Sequence, residues 1–441
     1  MTPASERFDW TVSPGGKPAG QVRVPGDKSI SHRSVMLGSL ATGRTDVTGF
    51  LDGEDCLCTM KAFQAMGVSI ERLSDTSLRV DGVGLHGLTA PAHDLDLGNS
   101  GTSMRLMSGL LAAQKFPSTL VGDASLSRRP MRRVIDPLAR MGAHIDSQDG
   151  KAPLHIRPVA GLQGIAHASK VASAQVKSCI LLAGLYAQGE TSVTEPEASR
   201  DHTERMLQAF GVQLEASHGR AALRGGQQLV GTAIPVPADI SSAAFFMLAA
   251  AIVPGSEIVL RDVGINPTRT GVIDILRAMG AEIELLDPRT FGGEPVSDIR
   301  VRGRGLRGIA VDPALVASAI DEFPAVFVAA ACAEGETLIS GAEELRVKES
   351  DRIQTMVDGL VSLGIDAVAT PDGARIRGGQ LRGGEINSHG DHRVAMSFAM
   401  GALRSSGPIR ILDVANVNTS FPRFAEKAQA MGLAIAPHRA T

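Results

Sequence analysis

The chain has 441 residues, more than the roughly 250–300 that one hydrophobic core usually supports, so two or three domains are expected. Hydrophobic residues make up 43% and charged residues 21%, as in globular proteins. A net charge of −3 and an aromatic content of 3% provide neither the basic surface nor the stacking side chains that nucleic acids require. Apolar runs fall short of the about 20 residues that cross a bilayer, and no secretory signal pattern is seen. We therefore expect a cytoplasmic protein with neither membrane nor nucleic-acid partners.

The cysteines Cys56, Cys58, Cys179 and Cys332 form no metal-binding pattern. Only the first two are neighbours, and no second pair completes a zinc site. We expect reduced structural thiols, no metal and no cofactor.

A short motif occurs six times: an apolar residue, then a glycine, then a stretch typical of a β-strand. Its glycines are Gly67, Gly142, Gly211, Gly280, Gly364 and Gly432, separated by 75, 69, 69, 84 and 68 residues. Glycine after the last apolar position of a helical pattern is a common helix stop, and alternation after it is typical of a strand. Each copy therefore predicts a helix followed by glycine and a strand.

A second helical pattern accompanies each copy and is followed by a glycine-containing turn and a β-type run. These helices are predicted over residues 31–40, 102–112, 174–185, 241–251, 324–333 and 392–403. The sequence therefore predicts an α/β unit of about 70 residues repeated six times, which is longer than the common solenoid repeats.

Two similar segments, Val24-Pro-Gly-Asp27 and Val236-Pro-Ala-Asp239, lie about 210 residues apart, or three repeat lengths. We interpret both as hinge crossovers between domains. One domain is then predicted over 25–235 with three repeats, and the other over 1–24 together with 236–441. A cleft between two domains is a common small-molecule site, so we expect the substrates there.

Polar residues concentrate where the second helix of a repeat begins. They are Lys28 and Ser29, Asn99 to Thr102, Ser173 to Gln175, Asp321, and Asp391 to Arg393. Backbone N–H groups and the helix dipole make such positions suitable for anions. Ordinary N-capping by Ser, Asn and Asp is the alternative, and the residues alone leave both open.

A second group of charged residues precedes the other helix in three repeats, at 128–131, 200–205 and 346–352. Lys348 and Arg352 are four residues apart, a spacing that allows them to share a helix face, whereas Glu349 and Arg352 would equally form a plain surface ion pair, and the residues alone leave both open. The segment Gly26-Asp-Lys-Ser29 lacks the G-x-x-x-x-G-K frame, so nucleoside triphosphate binding is not predicted.

Six segments carry a resemblance to a known family: Pro25-Gly-Asp-Lys-Ser-Ile-Ser-His-Arg33, Leu97-Gly-Asn-Ser-Gly-Thr-Ser-Met-Arg105, Arg129-Pro-Met131, Ser173-Ala-Gln-Val-Lys177, Arg346-Val-Lys-Glu-Ser-Asp-Arg352 and Asp391-His-Arg393. In order and spacing they resemble the signature segments of the EPSP synthases (5-enolpyruvylshikimate-3-phosphate synthases), along essentially the whole chain. Residues 169–175, 200–202 and 419–422 are most similar to the second bacterial class. The resemblance implies an inside-out α/β barrel fold of two domains, each with three βαβαββ units.

The resemblance implies that phosphoenolpyruvate gives its enolpyruvyl group to the 5-hydroxyl of shikimate 3-phosphate, through a tetrahedral intermediate that loses phosphate. Around shikimate 3-phosphate it places Lys28, Ser29, Arg33, Ser173, Gln175, Arg200, Asp321 and Lys348. Around phosphoenolpyruvate it places Lys28, Asn99, Gly101, Arg129, Gln175, Arg352 and Arg393. Arginine forks suit these ligands because each carries a carboxylate and a phosphate. Glyphosate is expected as an inhibitor, and the protein is expected to be a monomer.

This reaction needs a base and an acid. Asp321 is expected to accept the hydroxyl proton and Glu349 to donate a proton to C3 of phosphoenolpyruvate. Lys28 is expected to stabilise developing charge or carry a proton. His392 is expected to support Arg393 or the departing phosphate, unless it is only a packed helix residue.

Gly101 stands where glyphosate-tolerant members of the second class typically have alanine, so sensitivity to glyphosate is predicted. The alternative is that this glycine only permits a tight turn before the helix. Many members of the first class carry a lysine where this chain has Thr419, so no role is transferred to that position.

Two other functions stay open on the residues. The related enolpyruvyl transferases that act on UDP-N-acetylglucosamine have the same fold but commonly use a loop cysteine, and no cysteine lies between Cys58 and Cys179. A non-catalytic anion-binding protein is the other alternative, and the presence of both Asp321 and Glu349 argues against it.

Overall fold

The structure is a computed structural model that describes residues 8–217 and 219–439, and within it the chain forms two compact units. Unit A consists of the described residues of Gly26–Pro237 together with Thr290–Glu294. Unit B consists of Ala238–Arg289 and the described residues of Met1–Pro25 and Pro295–Thr441. The chain changes unit inside both segments that were interpreted as crossovers, and the hinge motion itself stays a prediction.

The helices in the described part of the chain are α1 Lys28–Leu40, α2 Glu54–Ala65, α3 Gly101–Leu111, α4 Arg132–Arg140, α5 Ala174–Gly184, α6 His202–Ala209, α7 Ile240–Ile252, α8 Gly271–Ala278, α9 Val316–Ala319, α10 Phe323–Ala331, α11 Arg352–Ser362, α12 His392–Gly401 and α13 Phe424–Ala430. Short 3-10 segments occur at Leu126–Arg128, Pro313–Leu315, Glu343–Val347, Ala402–Arg404 and Ala415–Thr419. None of these helices is long and apolar enough to cross a membrane.

The strands are β1 Phe8–Val12, β2 Ala19–Val22, β3 Thr42–Thr48, β4 Ser69–Ser74, β5 Ser77–Val83, β6 Leu95–Asp96, β7 Ser118–Val121, β8 His144–Gln148, β9 Lys151–Arg157, β10 Ala166–Ala168, β11 Glu190–Thr194, β12 Leu214–Ser217, β13 Arg220–Arg224, β14 Ala233–Pro235, β15 Glu257–Gly264, β16 Glu282–Phe291, β17 Glu294–Arg302, β18 Glu336–Ile339, β19 Asp366–Thr370, β20 Gly373–Arg377, β21 Gly384–Asn387, β22 Ile409–Leu412 and β23 Ile435–Arg439.

Small sheets repeat in both units. Unit A has the strand orders β14-β3-β5-β4, β6-β7-β9-β8 and β10-β11-β13-β12, and unit B has β16-β17-β15-β2, β18-β20-β19 and β21-β22-β1-β23. In every four-stranded sheet an outer strand runs parallel to its neighbour, as β14 does to β3 and β2 to β15. The N-terminal strand β1 lies between β22 and β23, with Trp10 opposite Ile411 and Pro437. The sheet of the sixth repeat is therefore completed by a strand from the start of the chain.

One helix of each repeat is buried in the core of its unit. All of α7 is buried, because Ile240–Ile252 carries apolar or small residues on every face, the pattern of a core helix. In unit B it packs against α10 and α12, and in unit A the corresponding helices α1, α3 and α5 are buried along most of their length. The sheets cover these helices, which is the inside-out α/β arrangement that was expected.

The predicted helix stops are confirmed. The six repeat glycines all have a positive φ, between 84° at Gly364 and 102° at Gly280, a conformation that side chains disfavour. The second helices are also confirmed, with small shifts at their ends. Helix α1 begins at Lys28, one turn earlier than predicted. It does so because the Asp27 carboxylate caps it by accepting a hydrogen bond from the backbone N–H of Ile30 at 2.9 Å.

Helices α3 and α5 approach each other closely at Gly109. A Cβ atom added there would lie 2.1 Å from the backbone oxygen of Cys179. Over-packing usually costs about 1–3 kcal/mol, and a backbone atom in a core helix yields less than a side chain, so Gly109→Ala should lower the free energy of unfolding by at least about 3 kcal/mol. Urea denaturation measures this change.

Gly161→Ala is the matched control, because a Cβ atom at that glycine would meet nothing within 4 Å. It should change the free energy of unfolding by less than about 1 kcal/mol. Equal stability of the two variants would show that α3 and α5 can move apart at no cost.

Candidate active site

The polar residues of unit A lie at the first turns of its buried helices, as predicted. Helix α3 begins at Gly101 after Ser100, which caps it, and α5 begins at Ala174 after Ser173. Gln175 joins the two helices: its Nε2 donates to the Thr102 hydroxyl at 2.9 Å, and its Oε1 accepts a hydrogen bond from Arg105. Two helix N-termini are thus held side by side.

Two guanidinium groups lie beside Gly101. A Cβ atom on this glycine would be 3.0 Å from Nη1 of Arg129 and 3.3 Å from Nη1 of Arg105. Arg129 is oriented by Asn99, whose Oδ1 accepts from Arg129 Nη2 at 2.7 Å and whose amide donates to Asp123 at 2.6 Å. Cations above a helix N-terminus make this part of unit A suitable for a phosphate or carboxylate.

Arg105 was missed by the sequence prediction. It follows Gly101 by four residues, so one helical turn places both on the same face of α3. That spacing was the available signal.

At the start of α1, Lys28 forms an ion pair with Asp55. Arg33 lies one turn further on and is 5% exposed. It donates to the carbonyl oxygen of Ser29 at 2.9 Å, to Thr203 at 2.6 Å and to Ser178 at 2.8 Å. Burial lowers the pKa of Arg33 to about 10. Its predicted contact with a ligand stays a prediction, while its protein partners tie α1 to α5 and α6.

The remaining ligand residues predicted in unit A lie next to α5 and α6. Ser173 directly precedes α5, and its backbone N–H donates to Glu195 at 2.7 Å. Arg200 lies two residues before α6 in the segment that follows β11.

Unit B brings together the residues predicted for proton transfer. Asp321 lies in the turn between α9 and α10. Its Oδ1 is 3.3 Å from Nη1 of Arg352 and 3.7 Å from Nζ of Lys348. Arg352 also contacts Glu349, with Nη2 2.6 Å from Oε2. The predicted base and the predicted acid therefore share one guanidinium group.

A third carboxylate, that of Asp391, completes the surroundings of Arg352. Asp391 Oδ2 is 2.8 Å from Nε of Arg352, and their side chains are 0% and 1% exposed. Burial acts to lower the pKa of Arg352, but Asp391, Glu349 and Asp321 together raise it further above its ordinary value. Burial likewise acts to raise the pKa of Asp391, but Arg352 keeps it below the usual range. The pair is ionised at neutral pH.

Of the two alternatives for this segment, the shared helix face of Lys348 and Arg352 is wrong. Lys348 follows the 3-10 segment Glu343–Val347, and α11 begins only at Arg352 because Asp351 caps it. The two cations meet at Asp321 through the tertiary fold instead.

Arg393 and His392 occupy the first turn of α12. Nη1 of Arg393 donates to the carbonyl oxygen of Asp321 at 3.0 Å and lies 3.6 Å from Oε1 of Glu322. The His392 side chain is buried. Glu322 was not predicted as a site residue, although it is next to Asp321 in the sequence; its buried carboxylate also accepts a hydrogen bond from Ser241.

Comparisons with known proteins place the whole chain in one family. The family model of EPSP synthase (3-phosphoshikimate 1-carboxyvinyltransferase) matches residues 12–428. A 3-phosphoshikimate 1-carboxyvinyltransferase from Methylococcus capsulatus is 65% identical over 97% of this chain and 98% of its own length. One from Alkalilimnicola ehrlichii is 60% identical over 97% of this chain and 96% of its own length. The solved structure of EPSP synthase from Acinetobacter baumannii is 55% identical and superposes with a TM-score of 0.88, covering 98% of this chain and 100% of that one.

Asp391→Asn should destabilise unit B strongly, because it leaves the buried Arg352 with an uncharged partner. Removing one member of a buried ion pair costs about 3–5 kcal/mol, and urea denaturation at pH 7 measures it. Asp351→Asn is the matched control: both aspartates cap a helix, which asparagine also does, but the Asp351 side chain is 38% exposed. The control should lose less than about 1 kcal/mol.

The difference between wild type and Asp391→Asn should also depend on pH. Because the folded-state pKa of Asp391 is lowered, its ionic stabilisation is complete above the ordinary aspartate pKa. It is lost as the pH falls through the folded-state pKa. A stability difference that grows toward acid pH would contradict this assignment.

Proposed function

Because the chain belongs to the EPSP synthase family, it is a transferase of the shikimate pathway that moves the enolpyruvyl group of phosphoenolpyruvate to shikimate 3-phosphate, and we propose that unit B carries out its proton transfers. The observation that carries the proposal is the convergence of Asp321 and Glu349 on the buried Arg352. Two carboxylates on one fixed cation are held in defined positions, as an acid and a base require.

In this proposal Asp321 accepts the proton of the 5-hydroxyl as that oxygen attacks C2 of phosphoenolpyruvate. Arg352 and Lys348 favour its ionised form, the form a base needs. Its position is also supported from the backbone, since Arg393 binds its carbonyl oxygen.

Glu349 is the proposed donor of the proton to C3. Its hydrogen bond to Arg352 favours the carboxylate, so it must lose that partner to carry a proton. We infer that an anionic group of phosphoenolpyruvate takes over the Arg352 donor and so couples substrate binding to protonation of Glu349. Elimination then completes the reaction: the C2–O bond to phosphate breaks while C3 returns a proton to the Glu349 carboxylate, which regenerates the double bond, with His392 proposed to support Arg393 or the leaving group.

Unit A supplies the proposed anion-binding residues. Gly101, Arg129, Asn99 and Gln175 are proposed for phosphoenolpyruvate, to which we add Arg105 because it lies beside Gly101. Arg352 and Arg393 of unit B are proposed for the same ligand. The residues proposed for shikimate 3-phosphate are Lys28, Ser29, Arg33, Ser173, Gln175 and Arg200 of unit A, with Asp321 and Lys348 of unit B.

The acceptor named in the relatives is 3-phosphoshikimate, not UDP-N-acetylglucosamine. Phosphate release from phosphoenolpyruvate tests this directly. It should be rapid with shikimate 3-phosphate and absent with UDP-N-acetylglucosamine. The reverse result would overturn the proposed function. A cytoplasmic location and a monomeric state stay predictions, the latter open to light scattering.

Asp321→Asn and Glu349→Gln should each lower turnover at least about 10²-fold, the usual contribution of a positioned acid or base. Each change keeps the size of the side chain and removes the group that exchanges the proton. Glu343→Gln is the control, because Glu343 is an exposed carboxylate in the neighbouring 3-10 segment. Turnover is measured at saturating substrates, and a variant that keeps wild-type turnover loses its assigned role.

Glyphosate should inhibit the wild-type protein, and Gly101→Ala should weaken that inhibition. Gly101 is not among the glycines with positive φ, so alanine suits the backbone, and the added methyl group meets the tips of Arg129 and Arg105. One added carbon in a packed ligand site costs ~1–3 kcal/mol. We expect the inhibition constant to rise more than the KM for phosphoenolpyruvate. An insensitive wild type, or an equal loss for both ligands, would show that this position does not decide tolerance.

A further inference from the structure

We propose that Glu195 and Lys177 form a buried ion pair that positions the acceptor-binding residues Ser173 and Arg200. Both are positioning residues, and the inference rests on the proposed function, in which Ser173 and Arg200 bind shikimate 3-phosphate. It gives a role to a cluster of buried charges in unit A, which is separate from the proposed proton-transfer residues of unit B.

The cluster is centred on Lys177 in the first turn of α5. Its side chain is 4% exposed, and its Nζ lies 3.0 Å from Oε2 of Glu195 and 2.8 Å from Oε1 of Glu204. Nζ also donates to the carbonyl oxygen of Ser199 at 3.3 Å. Burial acts to lower the pKa of Lys177, but the two carboxylates raise it above its ordinary value, so the side chain is charged.

Glu195 uses its buried carboxylate to hold two segments of backbone together. Oε1 accepts from the N–H of Ser173 at 2.7 Å. Both oxygens accept from the hydroxyl of Ser199, at 2.8 and 2.7 Å. One of these segments starts α5, and the other leads directly into Arg200. The carboxylate thus sets the distance between the two places where the acceptor is proposed to bind.

The start of α5 differs in this respect from the starts of α1 and α3. Asp27 and Ser100 cap their own helices through their side chains, whereas the Ser173 side chain makes no capping hydrogen bond. The position of Ser173 is instead held through its backbone by Glu195, which leaves the hydroxyl group uncommitted to the helix. Such an arrangement suits a hydroxyl that is reserved for a ligand.

A carboxylate in this position needs a buried cation. Without Lys177 the Glu195 side chain, 1% exposed, would be an uncompensated charge. Glu204 shares the same ammonium group from α6 but has no hydrogen bond to Ser173 or Ser199 in the described structure. The two glutamates therefore make comparable ion pairs, and only Glu195 contacts the acceptor segments. Glu204 is the matched control.

The test compares Glu195→Ala, Glu195→Gln and Glu204→Gln by steady-state kinetics and by urea denaturation. Loss of the Glu195 contacts should raise the KM for shikimate 3-phosphate at least about tenfold, equivalent to 1.4 kcal/mol. The KM for phosphoenolpyruvate and kcat should change less than about twofold, because Glu195 contacts none of the residues proposed for those steps. Glu195→Gln keeps an oxygen acceptor for the Ser173 N–H and should show a smaller rise.

Glu204→Gln should lower stability to a similar extent while leaving the KM for shikimate 3-phosphate unchanged. If Glu204→Gln raised the KM for shikimate 3-phosphate as much as the Glu195 variants do, general destabilisation would explain the effect, and this result would overturn the inference. So would a folded Glu195→Ala protein with wild-type KM values. If Glu195→Ala fails to fold, Glu195→Gln is used instead, and a folded Glu195→Gln protein with a wild-type KM for shikimate 3-phosphate would overturn the inference. A wild-type protein that does not turn over shikimate 3-phosphate would instead refute the proposed function.

Discussion

A helix that is buried on every side can offer charged groups to a ligand only near its ends, and this constraint organises both units. The sides of α7, α10 and α12 in unit B and of α1, α3 and α5 in unit A are committed to hydrophobic packing. The charged residues of these helices therefore lie in their first two turns, as Lys28, Arg33 and Lys177 do, or in the loops before them. The same first turns carry exposed N–H groups, so the burial that stabilises the fold also concentrates anion-binding chemistry at one end of each helix.

The two units use this end in different ways. Unit A gathers the guanidinium groups of Arg105 and Arg129 around Gly101, next to the Gln175 amide. Unit B surrounds one arginine, Arg352, with three carboxylates. An excess of cations suits binding of a phosphate, whereas carboxylates held by one cation suit proton transfer. Binding and chemistry thus have different electrostatic requirements.

Buried charges in both units also hold loops in place. Arg352 and Lys177 each sit in the first turn of a helix and each engage more than one carboxylate. Such clusters add little net stability because desolvation opposes the Coulombic gain, but they define a single geometry for the segments they join. At the proposed phosphate-binding site, a defined geometry lowers the entropy cost of binding.

Much of the fold was determined by the sequence alone. Glycine stops, apolar helices and the repeat spacing depend on local backbone preferences and on periodicity, which are readable along the chain. The proton-transfer candidates were also accessible, through the resemblance of short segments such as Asp391-His-Arg393. Each of these features is contained within a few consecutive residues.

Only the tertiary structure decided which side chains meet. The buried Arg33 side chain connects α1 to α6, and Lys348 contacts Asp321 although it lies outside α11. Glu195 accepts a hydrogen bond from the backbone of Ser173, which is 22 residues earlier in the sequence. No periodicity or residue spacing in the sequence predicts these contacts, because each depends on how separate elements pack. Electrostatics then follows packing: a carboxylate beside a buried cation is held ionised, and the same residue in water is an ordinary surface charge. The sequence determined which residues stand at the helix ends, and packing determined which of them contact one another.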